Sequence, residues 1–297
     1  MDHQLFDHSP IVRRPRVELP DGKRLAVWVG INVEHYRFGQ QALSLAPFTA
    51  QLVPDPLNHG WRDYGARVGL WRLADLLQRH GFPVSAITNS AVFEHYPEIA
   101  EEGRARGWAW VGHGVDNSSW WVGMGPDDER AALRQIVSAF EGATGAAPRG
   151  WLGPALTSTE STTALLAELG FSYSLDWAND DQPYPLNVPS GRLLSLPYAS
   201  EVNDIPAFVL HHHTGEQFAQ SVIDQFDQLY EEGADSLRVM GVGLHPFLVG
   251  QPFRARPFAR ALEHIASHDD VWLATSDEIA DWALGALPAS GAEAPAP

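Results

Sequence analysis

The chain has no cysteine. Disulfides, thiolate nucleophiles and thiolate ligands are therefore excluded, and any bound metal must be held by nitrogen and oxygen. Basic residues are scarce. Lys and Arg number 20 against 37 Asp and Glu, for a net charge of -17. That balance opposes nucleic-acid binding, which needs a cationic surface, and fits poorly with anionic lipid. No apolar run approaches the ~20 residues needed to span a bilayer. The N-terminus, MDHQLFDHSPIVRRP, lacks the basic-then-apolar pattern of a signal peptide. A Gly-rich dinucleotide fingerprint is missing after the first strand, and so is a phosphate-binding P-loop. These absences set the expectation of a cytoplasmic protein with a small-molecule substrate and no nucleic-acid or membrane partner.

What is present is enough chain, 297 residues at 44% hydrophobic, for a sizeable core. Residues 1–24 are polar with Pro10, Pro15 and Pro20, and read as an N-terminal arm lying over the domain. Residues 25–287 show no linker and no repeat, and read as one domain. Residues 288–297, PASGAEAPAP, are Ala/Pro-rich and read as a disordered tail. Arms of this kind often reach a neighbouring subunit, so a homo-oligomer is expected.

Between arm and tail, apolar runs of strand length alternate with helical patterns. RLAVWVGIN, PVSAIT, WAWVGH, RGWLG, FSYSLDW, RLLSLP, LRVMGVGLH and DVWLAT are strand candidates. GARVGLWRLADLLQRHG places Val68, Leu70, Leu73, Leu76 and Leu77 on one helix face and stops at Gly81. SAVFEHYPEIAEEGRARG is helical with a break near Pro97, and PDDERAALRQIVSAFEGATG opens with the proline and acids of a helix N-terminus. Repeated strand–helix units point to a parallel α/β fold, either an open doubly wound sheet or a closed barrel. Seven or eight strand candidates favour the barrel, where chemistry collects at the C-terminal ends of the strands.

Those ends are polar. The first carries Asn32, Glu34 and His35, the third His113, Asp116 and Asn117, and the fifth Asp176, Asn179, Asp180 and Asp181. The sixth leads into Tyr198, Glu201, Asn203 and Asp204, and the next strong strand ends in His245. Packing does not explain apolar strands that end repeatedly in carboxylates, imidazoles and amides. Ionisable groups crowded into one mouth perturb each other's pKa, as acid–base work requires. Trp120, Trp121, Trp151 and Trp177 sit beside the polar cluster and are candidate pocket walls, with Asn179, Asp180 and Asn203 as polar readers of a substrate. The run His211–His213 looks like a metal cluster. Neighbouring residues in a strand point to opposite faces, however, so a structural role is expected there.

Taken together, GINVEHY, RDYGARVGLWRLADLLQRHG, GHGVDNS, RGWLGPALTSTESTTALLAELGFSY, DWANDDQPY, LPYASEVNDIPAF and LHPFLVGQPFRARPFARALEHI resemble the polysaccharide deacetylase superfamily. Its catalytic domain is the nodulation-type chitooligosaccharide deacetylase domain. The branch with allantoinase-like and cyclic-imide hydrolases looks nearest. The resemblance runs from about Leu25 to Leu284. It implies a distorted (β/α)7 barrel, an α/β fold in a single domain. It implies Glu34 as general base, His35 as metal ligand and His245 as general acid. The family's second motif has two histidines four residues apart. Here the pair is His113 and Asn117, so the implied metal set is His35, His113 and Asn117 around one divalent ion, zinc or similar. An amide is a poor zinc ligand beside imidazole or carboxylate, and metal-independent catalysis is the alternative.

The function implied is hydrolysis of a non-peptide C–N bond, in an amide, cyclic imide, ureide or N-acetyl group. Glu34 activates water, His113 meets the oxyanion and His245 protonates the leaving nitrogen. The alternatives are a non-catalytic barrel that binds a sugar or metabolite, and a lyase or isomerase in which Glu34 takes a C–H proton.

Overall fold

The structure, a computed structural model, describes residues 3–40 and 44–287. The tail expected from Pro288 lies outside the described residues. The strands are β1 (Leu25–Val33), β2 (Val84–Thr88), β3 (Ala109–Gly112), β4 (Gly150–Trp151), β5 (Tyr173–Ser174), β6 (Tyr184–Leu186), β7 (Leu193–Ser195), β8 (Arg238–Leu244) and β9 (Val271–Leu273). The helices are α1 (Pro56–Tyr64), α2 (Leu70–Arg79), α3 (Ala91–His95), α4 (Pro97–Ala105), α5 (Pro126–Thr144), α6 (Thr162–Glu168), α7 (Gly215–Glu232), α8 (Pro252–Ala266) and α9 (Ser276–Ala286).

The sheet runs β6-β7-β5-β4-β3-β2-β1-β8, parallel except for the β6–β7 pair, and β9 pairs with the start of β1. It curls on itself. The outer side of β8 meets chain from the far end of the sheet, where Val239 N–H donates to Asp181 O at 2.9 Å and Asn203 bridges Gly243. This is the expected α/β single domain, a curled sheet consistent with the (β/α)7 barrel.

β1 is buried at all nine positions because both its faces are covered, as parallel strands require. Its two faces differ. Leu25, Val27, Val29, Ile31 and Val33 pack outward among the helices with Leu70, Leu73, Leu77, Phe226 and Phe258. Ala26 and Trp28 point inward to Ile87, Val111, Tyr173 and Leu194. The same alternation governs β8, whose Met240, Val242 and Leu244 face out while Val239 faces in.

Two local departures from expectation shape the mouth. The segment DWANDDQPYPLN folds back as β6, antiparallel to β7. The His211–His213 run is not a strand; it follows the π turn Pro206–Leu210, with His212 at φ 55°. A second π turn, Gly65–Gly69, occupies the start of the helix expected over GARVGLWRLADLLQRHG, joins α1 to α2 and packs on the loop after β8. A Cβ on Gly69 would lie 1.9 Å from the Pro246 carbonyl oxygen, a backbone atom that cannot swing away. Gly69→Ala is therefore expected to cost about 1–3 kcal/mol of stability by overpacking. Thermal or denaturant unfolding measures it.

Candidate active site

Strand alternation assembles the centre. On β1 the inward set Trp28, Gly30, Asn32 continues to Glu34. On β3 the inward Val111 continues to His113, and on β8 the inward Val239 continues through Gly241 and Gly243 to His245. β1, its neighbour β8 and β3, two strands away on the other side, thus deliver three ionisable groups to one end of the barrel. The cavity there is about 850 Å³ and is lined by Glu34, Tyr36, His113, Asn117, Tyr198 and His245, among others. The loop carrying His113 is pinned. Asn117 N–H donates to His35 O at 2.9 Å, and Asp116 accepts from Arg37 at 2.6 and 2.7 Å. Gly114 makes the turn at φ +69°, where a Cβ would also meet Pro154.

Glu34 is the hub. Its side chain is 3% exposed. Oε2 accepts from the Tyr36 hydroxyl at 2.7 Å. Oε1 accepts from the Asn117 side-chain amide and faces His113 Nε2 at 3.4 Å and His245 Nε2 at 3.5 Å. Burial alone would raise its pKa. The His245 charge and the two imidazole contacts outweigh burial and hold the carboxyl well below the usual range. Burial likewise opposes the charged form of His245, but Glu34 and then Asp204 raise it to about 10. Asp204 is fully buried and accepts three N–H groups: His245 Nδ1 at 2.6 Å, His245 N at 2.8 Å and Val249 N at 3.2 Å. Burial pushes Asp204 up, and the His245 charge pulls against it. Behind His113, burial pushes Asp176 up to about 6, against the Gly153 N–H that donates to it at 2.6 Å.

Backbone atoms settle which way the amides point. Asn89 Oδ1 accepts from the His35 N–H at 2.9 Å, and Asn89 Nδ2 donates to the His113 carbonyl. A backbone N–H can only donate and a carbonyl can only accept, so Asn89 has one orientation. Its NH2 also faces Asn117 at 3.0 Å, which makes that Asn117 atom the oxygen. Asn117 therefore turns its NH2 toward Glu34 and presents no ligand oxygen to the cavity.

A divalent ion would need His35, His113 and Asn117 to turn lone pairs toward one point. His35, His113 and Asn117 do not form one site. His35 follows the outward parity of β1 and stacks on His95, with centroids 4.1 Å apart and planes at 11°; it does not line the cavity. Burial and then His95 lower its pKa. Asn117 has spent its oxygen on Asn89. His113 donates Nδ1–H to Leu152 O at 2.6 Å, which leaves Nε2 a lone pair when the ring is neutral. One imidazole lone pair and one carboxylate oxygen already surrounded by donors do not make the expected ligand set.

The remaining expected residues divide. Trp120, 66% exposed, and Asn203 line the cavity. Trp121 and Trp151 are core residues packed edge to face at 5.1 Å, because Trp151 has outward parity while its neighbour Leu152 faces the cavity. Trp177 lies under the N-terminal segment, against Phe6 at 5.1 Å. Asp180 pairs with Arg14 at 2.5 Å, and Asn179 accepts from the Tyr184 hydroxyl at 2.9 Å. The β6 hairpin carries these last residues away from the mouth. Tyr36, Asn89 and Asp204 were not assigned from sequence. Two-residue spacing from Glu34 was the available signal for Tyr36, and Asp204 stood among the polar strand ends without a role. Nothing local marked Asn89.

The family profile described as Polysaccharide deacetylase matches residues 62–174. A Schizosaccharomyces pombe protein named as a polysaccharide deacetylase is 31% identical over 260 residues, covering 80% of this chain and 79% of that one. A Helicobacter pylori peptidoglycan deacetylase is 25% identical over 277 residues, covering 80% and 90%. Among solved structures, a Pseudomonas aeruginosa protein named as a polysaccharide deacetylase superposes with a TM-score of 0.84 at 29% identity, over 93% of this chain and 96% of that one. The Puue allantoinase gives 0.85 at 26%, over 94% and 96%. Fold, mouth and relatives together define a barrel hydrolase that acts on C–N bonds. The chain belongs to the polysaccharide deacetylase family. Nothing supports the non-catalytic sugar-binding alternative.

The hub makes two measurable demands. Tyr36→Phe removes a hydrogen bond to a buried charge, worth about 1.5–3 kcal/mol, so kcat/KM is expected to fall roughly 10- to 100-fold with the fold retained. Asp204→Asn removes one of the two anions that raise His245. An NMR titration of the ring is expected to move from about 10 toward its ordinary 6.5. The sign follows from linkage. In the parent protein the His245 charge stabilises the fold fully below about pH 6.5, and that contribution is lost as pH rises through about 10.

Proposed function

We propose that the chain hydrolyses a small, uncharged amide, cyclic imide or ureide, with Glu34 as base, Asn117 and His113 at the oxyanion and His245 as acid. One observation carries this reading: two imidazole Nε2 atoms and an amide NH2 converge on one buried carboxylate oxygen, with His245 held protonated beside it. The imidazole contacts, at 3.4 and 3.5 Å, are longer than firm hydrogen bonds. Water and a carbonyl can enter there without breaking strong bonds. Their entry loosens the contacts that depress Glu34 and makes it a stronger base.

Glu34 takes one proton of the water as the water oxygen bonds to the carbonyl carbon. The carbonyl oxygen gains charge and meets the Asn117 NH2. His113 adds a second donor when it carries a proton on Nε2, since its Nδ1–H is committed to Leu152. His245 Nε2 then gives its proton to nitrogen as the C–N bond breaks, and the proton held by Glu34 restores the pair. Base and acid contribute about 10²–10⁴-fold each, and a fixed oxyanion donor about 10²–10³-fold.

The substrate class follows from the lining. Among the described residues no Lys or Arg lines the cavity, and the charged His245 is already matched by Glu34 and Asp204, so a carboxylate or phosphate on the substrate would lack a free counter-ion. Trp120, Leu156, Ile205 and Pro206 form an apolar rim around Ser118, Ser200 and Asn203, which suits a compact neutral ring. An N-acetylated amino sugar is the second reading, supported by the deacetylases among the relatives. No described helix is long and apolar enough to cross a membrane. A cytoplasmic homo-oligomer completes the proposal, supported by the exposed Phe38, Leu45, Phe48 and Leu52 on one surface segment. Sedimentation measures the assembly.

The test is a panel of cyclic imides, ureides and N-acetyl sugars. Glu34→Gln is expected to lower kcat by about 10²–10⁴-fold with little change in binding. The parent's kcat/KM is expected to fall at alkaline pH with a midpoint near 10, as His245 loses its proton. Absence of turnover across the panel at high enzyme load refutes the reading.

A further inference from the structure

Away from the mouth, α7 and α8 pack side by side and bring together three groups with no part in the chemistry above. Asp227 is on α7. His264 lies in the last turn of α8, and His268 stands just beyond the helix end. One ligand atom from each lies within 4.8 Å of the other two. The two histidines are four residues apart at the C-terminal end of α8, and their rings stand 5.0 Å apart at 64°. His268 Nδ1 sits 2.9 Å from the His264 carbonyl. Donation there fixes the tautomer and leaves the Nε2 lone pair available, the way a backbone carbonyl orients a metal-bound imidazole. His264 Nε2 faces Asp227 Oδ1 at 2.6 Å. Phe226 packs on both imidazoles, at 5.6 and 4.9 Å, and Tyr230 on His268 at 4.9 Å. That gives the polar trio an apolar backing. The C-terminal end of α8 adds a partial negative charge that favours a cation.

We propose that Asp227, His264 and His268 form a divalent transition-metal site that fastens α7 to α8. Two imidazoles and one carboxylate are a borderline donor set that suits zinc, cobalt(II) or nickel and not magnesium or calcium, which prefer all-oxygen shells. Asp227 is exposed and free to swing from hydrogen bonding to ligation. Solvent completes the coordination, so the site is structural and open on one side. It is independent of the mouth, where Glu34, His113 and His245 lie at the opposite ends of the strands.

The experiment uses the full chain without an affinity tag. Cobalt(II) is titrated while the visible d–d bands of a tetrahedral N/O site are recorded, and zinc binding is followed by calorimetry and thermal unfolding. The expected result is one equivalent bound, a rise in Tm with zinc, and loss of the cobalt bands in His264→Ala/His268→Ala. Asp227→Asn keeps the side-chain volume and is expected to weaken zinc binding about tenfold or more. Both variants are expected to match the parent in circular dichroism and in activity when metal is removed by chelator. Glu34→Gln is expected to leave the cobalt bands unchanged. Zinc binding and cobalt bands that persist in the His264→Ala/His268→Ala variant overturn the proposal, as does a parent protein that binds neither ion.

Discussion

A carboxylate held ionised out of water is what the active end of this barrel is built around. Moving such a group from water costs several kcal/mol even after local relaxation. Glu34 sits there with 3% of its side chain exposed and stays charged because polar groups reach it from four directions. Tyr36 comes from its own segment, Asn117 and His113 from the loop after β3, and His245 from the end of β8. The cation it needs creates a second requirement. His245 is itself buried, and Asp204 answers it with a carboxylate fixed by two backbone N–H groups. Anion, cation and anion form a chain in which each member holds the next in its charged state.

The loops follow from that requirement. The His113 loop must present both an imidazole and an amide NH2 to one oxygen, and it is fastened by Asn89 and by the Arg37–Asp116 pair. The Pro246 loop must hold His245 against Asp204, and the Gly65–Gly69 turn packs on it so closely that only glycine fits at position 69. Asn117 stands where a second imidazole is expected. Its amide presents N–H groups in a place where a metal centre needs a lone pair. The mouth thus offers hydrogen-bond donors and a charged imidazole, in a cavity whose lining has no Lys or Arg among the described residues.

Much of this was legible along the chain. The alternation of strand and helix patterns gave the α/β barrel, and polar residues at strand ends pointed to Glu34, His113, Asn117, Asn203 and His245. The residues that fall elsewhere do so for two reasons. Position at a strand end does not by itself say which face a side chain takes. His35 and Trp151 are each next to a cavity residue, Glu34 and Leu152, and each points the other way for that reason alone. Trp177, Asn179 and Asp180 were misplaced for a different reason: the β6 hairpin turned their loop toward the N-terminal segment.

The sequence by itself determined the periodicities and the residue types: which strands bury both faces, which ends carry acids and imidazoles, and that no thiol takes part. Those are local properties, set by side-chain chemistry and a repeat of two or 3.6 residues. Only the tertiary structure decided which groups share a charge. Asn89 and Asn117 are 28 residues apart, and Asp204 and His245 are 41 apart. Nothing in either neighbourhood specifies the partner. Electrostatic coupling falls off over a few ångströms in space and takes no account of distance along the chain, so the pairing that orients the amide and keeps the imidazole charged exists only once the sheet has curled.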